Sequence, residues 1–450
     1  MIAINSRAAR AIYTGAIGLF LVNFAWAGIP ITHWTQPSGV RVYLVPSPAI
    51  PMVDVQIEFD AGGRRDPAEK AGLASLMAGA MANGVRAHGA EPALDENGLS
   101  EAWADLGASF GGSAGNDRMG FSLRSLTYPD LLAKAGALAA RQLGEPSFPE
   151  APWLRDRPKL VASLKEADTR PATLAAKAYS RAVYGNHPYG QEMTEATLNR
   201  ISVQDMLALH TQAIRPCNAR VSIVGALDRA QADALVTQIF ARLPVASCPA
   251  LPPVVEVQPL AAPQEQHIAF ASAQAHVLVG QPGFQRQDPD FFALTVGNHI
   301  LGGGGFTSRL TEEVREKRGL TYGVYSHFAP GQHAGAFTIG LQTRPDQAQQ
   351  ALQLVREVVA KFVATGPTAA ELQAAKDNLI GGFPLLIDSN RKLVGNVANI
   401  AWNGLPLDYL DTWTQQVQKL NLADIRAAFA RKLQPSKMVT VVLGAQDAVK

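Results

Sequence analysis

The features of this chain that could do chemistry are its histidine side chains and the backbone of four consecutive glycines at 302–305. The histidines stand at 33, 88, 187, 210, 267, 276, 299, 327 and 333. A zinc site needs nitrogen, oxygen or sulfur donors roughly 2 Å from one ion, so spacing decides which histidines qualify. His327 and His333 are the closest pair, six residues apart in a strand-like stretch. Six extended residues cover about 20 Å, too far for one ion unless Pro330-Gly331 turns the chain. They are read as two exposed strand or loop histidines. His187 lies in Asn186-His187-Pro188-Tyr189-Gly190, a turn-forming context, and is read as structural. A phosphate loop would follow the glycines with lysine and Ser/Thr. Phe306-Thr307-Ser308-Arg309 has no lysine, so the glycines are read as a flexible backbone loop.

The elements that position these residues are written twice. Residues 205–228 (DMLALHTQAIRPCNARVSIVGALD) align without a gap to 424–447 (DIRAAFARKLQPSKMVTVVLGAQD), at an offset of 219. Each copy reads as an amphipathic helix, a Pro-containing turn and a buried strand ending in Gly. FSLRSLTYPDLLAKAGALAARQL from Phe121 and FTIGLQTRPDQAQQALQLVREVV from Phe337 repeat a strand leading into a helix with Pro at its start. Alternating strands open both halves, at 40–45 and 53–59, then at 267–271 and 276–280. Long helical patterns close them, at about 154–184 and 368–404. The expected fold is α+β: two homologous domains, each a mainly antiparallel sheet flanked by helices. The domains are placed at 28–243 and 264–450, joined by a Pro-rich linker at 244–263.

Bulk composition narrows the function. Hydrophobic content of 47% supports sizeable cores. A net charge of +2 gives no basic surface of the kind nucleic acid requires. Arg7 and Arg10, an apolar run and Ala25-Trp26-Ala27 make a cleavable signal peptide over 1–27. Export to the periplasm is expected, or secretion beyond it, with no membrane anchor after cleavage. Two cysteines, Cys217 and Cys248, make no disulfide framework, and two separate thiols are favoured over a bridge. The tryptophans of the mature chain are scattered and read as packing residues.

Residues 59–85, FDAGGRRDPAEKAGLASLMAGAMANGV, carry a resemblance. They resemble the approach to the active site in the pitrilysin/insulinase family, inverted-motif zinc peptidases that include mitochondrial processing peptidase. There a Gly-Leu-Ala-like turn leads into H-x-x-E-H on a helix. Here Gly72-Leu73-Ala74 and Gly84 keep the frame, but Ser75, Ala78 and Gly79 replace the two histidines and the glutamate. Two imidazoles four apart on a helix share one face, and the ion needs both. Serine, alanine and glycine provide neither ligand nor base. The family's third ligand, a glutamate about 75 residues on, would fall at Asp156 or Glu166, and one carboxylate does not hold zinc.

The second half resembles the family more closely. Residues 301–310 (LGGGGFTSRL), followed by TEEVREKRGLTYGVYS, are similar to its glycine-rich turn, its Arg-Glu-Lys-x-Gly-Leu helix end and the strand beginning with Tyr. The resemblance implies that Arg315 and Tyr322 are an Arg/Tyr pair that reaches a zinc site, and that Gly302, Gly303, Gly304 and Gly305 line a peptide channel. A guanidinium and a phenol are preorganised donors for the charge that builds on a carbonyl oxygen when water adds.

The expected role is therefore the non-zinc-binding subunit of a heterodimeric peptidase. Arg315 and Tyr322 would act in trans, and no metal would bind in this chain. The partner is expected to be a homologous subunit with zinc on H-x-x-E-H, and the substrate an extended peptide added to a sheet edge. The isolated chain is expected to be inactive. The alternative is an inert peptide-binding or scaffold protein of the same fold. A hydrolase built on Ser75 is disfavoured, because no G-x-S-x-G elbow surrounds it.

Overall fold

The computed structural model describes residues 28–244 and 250–444. The signal segment 1–27 and part of the linker lie outside the described residues.

The first half holds β1 (Thr32–Thr35), β2 (Arg41–Pro46), β3 (Met52–Phe59), the short pair β4 (Gly84–Val85) and β5 (Leu94–Asp95), then β6 (Ser109–Ala114), β7 (Met119–Leu126) and β8 (Arg220–Gly225). The second holds β9 (Gln264–Ile268), β10 (Ala275–Phe284), β11 (Val324–Phe328), β12 (Gly335–Thr343) and β13 (Val439–Leu443). The first sheet runs β1-β2-β8-β3-β7-β6 and the second β11-β12-β10-β13-β9. Read from opposite ends, β2-β8-β3-β7-β6 and β9-β13-β10-β12-β11 have the same order. In each sheet one pair is parallel, β2 with β8 and β13 with β9, and the rest are antiparallel. The fold is thus the expected duplicated α+β arrangement.

The repeat extends to the caps. Helix Val203–Ala213 starts at Ser202, whose side chain bonds the backbone of Asp205 while Asp205 bonds back. Helix Leu422–Lys432 starts in the same way at Asn421 and Asp424, 219 residues on. A reciprocal pair of this kind satisfies two N–H groups that would otherwise be left open at the helix start.

Both long helical patterns are broken. The first is Glu150–Ala167 followed by Pro171–Tyr184. Pro171 forces Arg170 into an extended conformation, with φ −93° and ψ 122°. The second is Ala369–Gly382 and Asn390–Asn403, separated by a short 3₁₀ turn containing Pro384 and restarted by the Ser389 cap. Strand β9 begins at Gln264, earlier than the hydrophobic pattern suggests, because its partner is the parallel β13 and its residues are mostly exposed. Cys217 is disulfide-bonded, which corrects the expectation of two separate thiols. Cys248, the other cysteine of the sequence, lies outside the described residues.

The second member of each broken pair covers the opposite half's sheet. Helix Pro171–Tyr184 packs on β10 and β13. Its Ala175, Ala178, Tyr179 and Val183 form one buried cluster with Ala336, Val439, Val441 and Leu443. The Tyr179 hydroxyl donates to the Phe337 carbonyl at 2.7 Å, and a Cβ on Gly280 would overlap that hydroxyl. In the other direction, helix Asn390–Asn403 packs on β3 and β8. The Trp402 ring lies 4.8 Å from the Arg220 guanidinium carbon and 5.6 Å from that of Arg118. Arg118 also pairs with the buried Glu58 carboxylate at 2.7 Å.

Burial pushes the Glu58 carboxyl up to about 7, against the pull of Arg118 and Arg220. An unfolded chain releases this proton near pH 4.5, whereas the folded protein keeps it to about 7. Stability therefore declines as pH rises through that window and levels off above it, by on the order of 3 kcal/mol from this group. Urea denaturation of wild type and Glu58→Gln at pH 5 and pH 8 should show a smaller fall in the variant. Equal falls in the two proteins would remove Glu58 as the cause.

Candidate functional site

Ser75, Ala78 and Gly79, the positions expected to be a degenerate motif, lie on helix Leu73–Ala80. Gly72 precedes it with φ 103°, a left-handed conformation open to glycine. The buried Asp66 carboxylate accepts from the Gly72 and Ala74 N–H groups at 2.9 and 3.0 Å and ties down the helix start. Burial raises its pKa to about 6 despite these bonds. Leu73, Ala74, Met77 and Ala78 face the core, while Ser75 and Gly79 are exposed one turn apart.

The donor set does not fit zinc. Of Ser75, Ala78 and Gly79 only the serine has a side-chain donor atom, and no imidazole, thiolate or carboxylate stands beside it on the helix. Of the two candidate third ligands, Asp156 is held by Arg155 and Lys159 and Glu166 by Arg170, all on exposed surface. The Arg155 and Lys159 hydrogen bonds keep Asp156 well below the usual carboxylate range. Among the described residues, no group of three or more His, Cys, Asp or Glu side chains is placed to hold a metal ion.

Next to this helix runs β6, the edge strand of its sheet. A Cβ on Gly112 would come within 2.8 Å of the Ala78 carbonyl, whereas Gly79 and Gly111 have open space at theirs. Glycine at 112 thus lets the edge strand lie against the helix. The outer backbone of β6 has no strand partner among the described residues, a geometry suited to strand addition.

In the second half, helix Phe291–Asn298 widens into a π-turn, His299–Gly303, and a 3₁₀ turn, Gly305–Thr307, follows. Sterics account for much of the glycine run. A Cβ on Gly302 would come within 2.5 Å of Ser326 Oγ on β11, one on Gly303 within 2.7 Å of Asn298 Nδ2, and one on Gly304 within 2.6 Å of the His299 carbonyl. Gly305 has room but takes φ +61°. Gly302 is buried, and the exposed backbone of the turn is at 303 and 305. Asn298 and Ser326 exchange hydrogen bonds of 3.1 and 2.8 Å that fasten the turn to β11.

A second π-turn, Thr311–Glu316, carries Arg315. Thr321 is tied to the Gln342 and Gly323 carbonyls, which anchors the segment that presents Tyr322. The structure brings Arg315 and Tyr322 together, with the guanidinium carbon 5.2 Å from the phenol ring centroid. Phe306, which the motif does not single out, lies 4.7 Å from the same carbon. Its only signal in sequence is its place directly after the four glycines. Tyr322 and Phe306 are 86% and 73% exposed. The carboxylate paired with Arg315 is that of its neighbour Glu316, 3.4 Å from Nε. Helix Leu73–Ala80 packs against β6, β7 and helix Val203–Ala213.

Two histidines belong to the contact between the halves. His187 is buried; its Nδ1 accepts from the Tyr189 N–H, so Nε2 carries the proton and donates to the Val255 carbonyl at 2.9 Å. Burial lowers its pKa, which favours the neutral ring. His333, expected to be exposed, is instead half-buried, with Nδ1 3.0 Å from Glu256 Oε2 and its ring 5.1 Å from that of His187. The Tyr189 hydroxyl donates to Asp117 at 2.5 Å, and Asp117 also accepts from the Gln332 N–H at 2.9 Å. The strand period does not apply here because 330–334 turn away after β11 ends.

Comparison with known proteins bears on the family and the fold. Residues 200–379 match the family described as the peptidase M16 inactive domain. The fold superposes on the crystal structure of a peptidase M16 inactive domain from Pseudomonas fluorescens with a TM-score of 0.87 and 35% identity, covering 93% of this chain and 99% of that one. An uncharacterised zinc protease of Mycobacterium leprae is 24% identical over 419 residues, 92% of each chain. A non-peptidase homologue from Helicobacter pylori is 26% identical over 391 residues, 84% of this chain and 85% of its own.

The glycine contacts make a direct comparison possible. Gly302→Ala forces Ser326 or the turn to shift, an overpacking cost of about 1–3 kcal/mol. Gly111→Ala meets open space and should leave stability unchanged or slightly raised. Urea midpoints of the two variants will show whether the glycine turn is packed as tightly as described.

Proposed function

Because the chain belongs to the M16 peptidase family, as an inactive, peptidase-like member, we propose that it is the non-zinc-binding subunit of a two-chain zinc peptidase. The observation that supports this is the side-by-side display of Arg315 and Tyr322 on a half whose companion helix has no metal ligand. The guanidinium is engaged only weakly, by Glu316 at 3.4 Å, and the phenol is 86% exposed. Both are therefore open to a second chain.

The zinc and its H-x-x-E-H motif are assigned to a homologous partner subunit. This chain's own part is electrostatic. As negative charge builds on the oxygen of a scissile carbonyl, the Arg315 N–H groups and the Tyr322 hydroxyl donate hydrogen bonds to it or to the adjoining peptide backbone. An extended peptide would add as a further strand to an open sheet edge, with its main chain held by backbone hydrogen bonds and the turn at 302–305 alongside. The basic start, apolar run and small-x-small site of residues 1–27 support action in the periplasm.

The test is purification of the complex from the native organism, or co-expression with an H-x-x-E-H homologue, followed by metal analysis and peptidase assay. The expected result is a heterodimer with one zinc in the partner and no activity in this chain alone. Arg315→Ala or Tyr322→Phe should lower kcat about 100-fold with zinc content unchanged. An isolated chain that binds one zinc and cleaves peptides at the rate of the complex would refute the proposal. Purification without any H-x-x-E-H partner would favour an inert peptide-binding protein.

A further inference from the structure

We propose that Phe306 is a positioning residue whose ring, together with that of Tyr322, holds the Arg315 guanidinium and leaves its terminal N–H groups available to a ligand. The inference rests on the Arg/Tyr-subunit reading for its functional meaning, and on separate geometry for its substance.

The other cations of this segment are fastened differently. Arg309 is gripped by Glu371 at 2.5 and 2.7 Å and also donates to the Gly366 carbonyl. Lys317 lies 2.8 Å from both Glu312 and Glu313. Arg318 binds Glu313 at 2.7 Å. Each of these contacts uses N–H donors and offsets positive charge. Arg315 has two aromatic rings, Phe306 and Tyr322 at 4.7 and 5.2 Å, and a longer carboxylate contact, from Nε to Glu316 at 3.4 Å. Arg309 also lies over a ring, Phe362 at 5.0 Å, but its donors are taken by Glu371. A ring face attracts a guanidinium through its quadrupole and takes up none of the in-plane donors. It fixes the plane of the group while leaving its hydrogen-bonding edge available.

Folding gives no reason for a phenylalanine at this place. Phe306 is 73% exposed, so its side chain adds little to any core. Its backbone, however, is closely determined. Gly305 takes φ +61°, a conformation that favours glycine. The Thr307 hydroxyl donates to the Gly304 carbonyl at 3.1 Å and the Ser308 hydroxyl to the Gly305 carbonyl at 2.8 Å. Buried Gly302 sets the depth of the turn against β11. The glycine run thereby acts as a mount that carries an exposed ring to the face of Arg315.

Two measurements test this. In the full chain, the Arg315 Nε–Hε resonance, identified by its loss in Arg315→Lys, should carry a ring-current shift. Phe306→Leu should move it toward the position of an ordinary exposed arginine, and Phe306→Tyr should keep it near wild type, with all thermal midpoints unchanged. In the complex with the zinc-bearing subunit, Phe306→Leu should lower kcat roughly 2- to 5-fold, the size of an exposed cation–π contact. KM should stay constant and Phe306→Tyr should restore the rate. An Arg315 resonance indifferent to Phe306→Leu, or equal rate losses in the leucine and tyrosine variants, would overturn the proposal. A complex with no activity would instead defeat the Arg/Tyr-subunit reading, and the resonance would still decide whether Phe306 holds Arg315.

Discussion

Each of the two sheets has an apolar face that its own half does not cover alone. Strands β10, β12 and β13 are buried almost throughout, which requires packing on both sides. Helix Pro171–Tyr184 provides one side from the other half, and helix Asn390–Asn403 does the same for β3 and β8. Separating the halves would expose the Tyr179 cluster to water together with the Trp402 ring and the Glu58–Arg118 pair beneath it. Hydrophobic burial scales with area removed from water, so this exchange joins the halves into a single folding unit. The contacts among Asp117, Tyr189, His333 and Glu256 then add a polar seam to an association already secured by apolar area.

On that frame the two halves carry different surfaces. In the first, the left-handed Gly72 and the Asp66 carboxylate fix the start of a helix that carries Ser75, Ala78 and Gly79 and no imidazole. The second keeps a glycine turn packed to the limit of contact and, mounted on it, a cation with few acceptors of its own. Tyr322 and Phe306 stand exposed beside Arg315, and neither ring contributes to a core. Nearby Arg309, Lys317 and Arg318 have carboxylates within 2.8 Å, and the carboxylate paired with Arg315 lies farther off, at 3.4 Å.

Much of this is legible in the residues alone. The duplication and the paired helix–turn–strand units depend on local patterns: caps at Ser202 and Asn421, apolar periodicity, and residue types at fixed spacing. Where the local pattern misleads, the cause is non-local. The helical patterns at 154–184 and 368–404 give no sign that their second parts leave for the opposite sheet, because an apolar stripe does not state which surface will cover it. His333 reads as exposed because its partners, Glu256 and His187, are 77 and 146 residues away in sequence. The bonding of Cys217 is hidden for a similar reason, since spacing along a chain does not report which sulfurs meet in space.

The chemistry open to this protein is written in its residues: no imidazole pair within 73–80, an arginine and a tyrosine seven residues apart, and four consecutive glycines at 302–305. These are properties of residue type and short spacing, and folding cannot alter them. Folding settled which apolar faces meet, and it set the Phe306 and Tyr322 rings 4.7 and 5.2 Å from the Arg315 guanidinium carbon. Both outcomes depend on packing between residues distant along the chain or on the path of a turn, where the free energy of burial and the direction of a side chain are settled together.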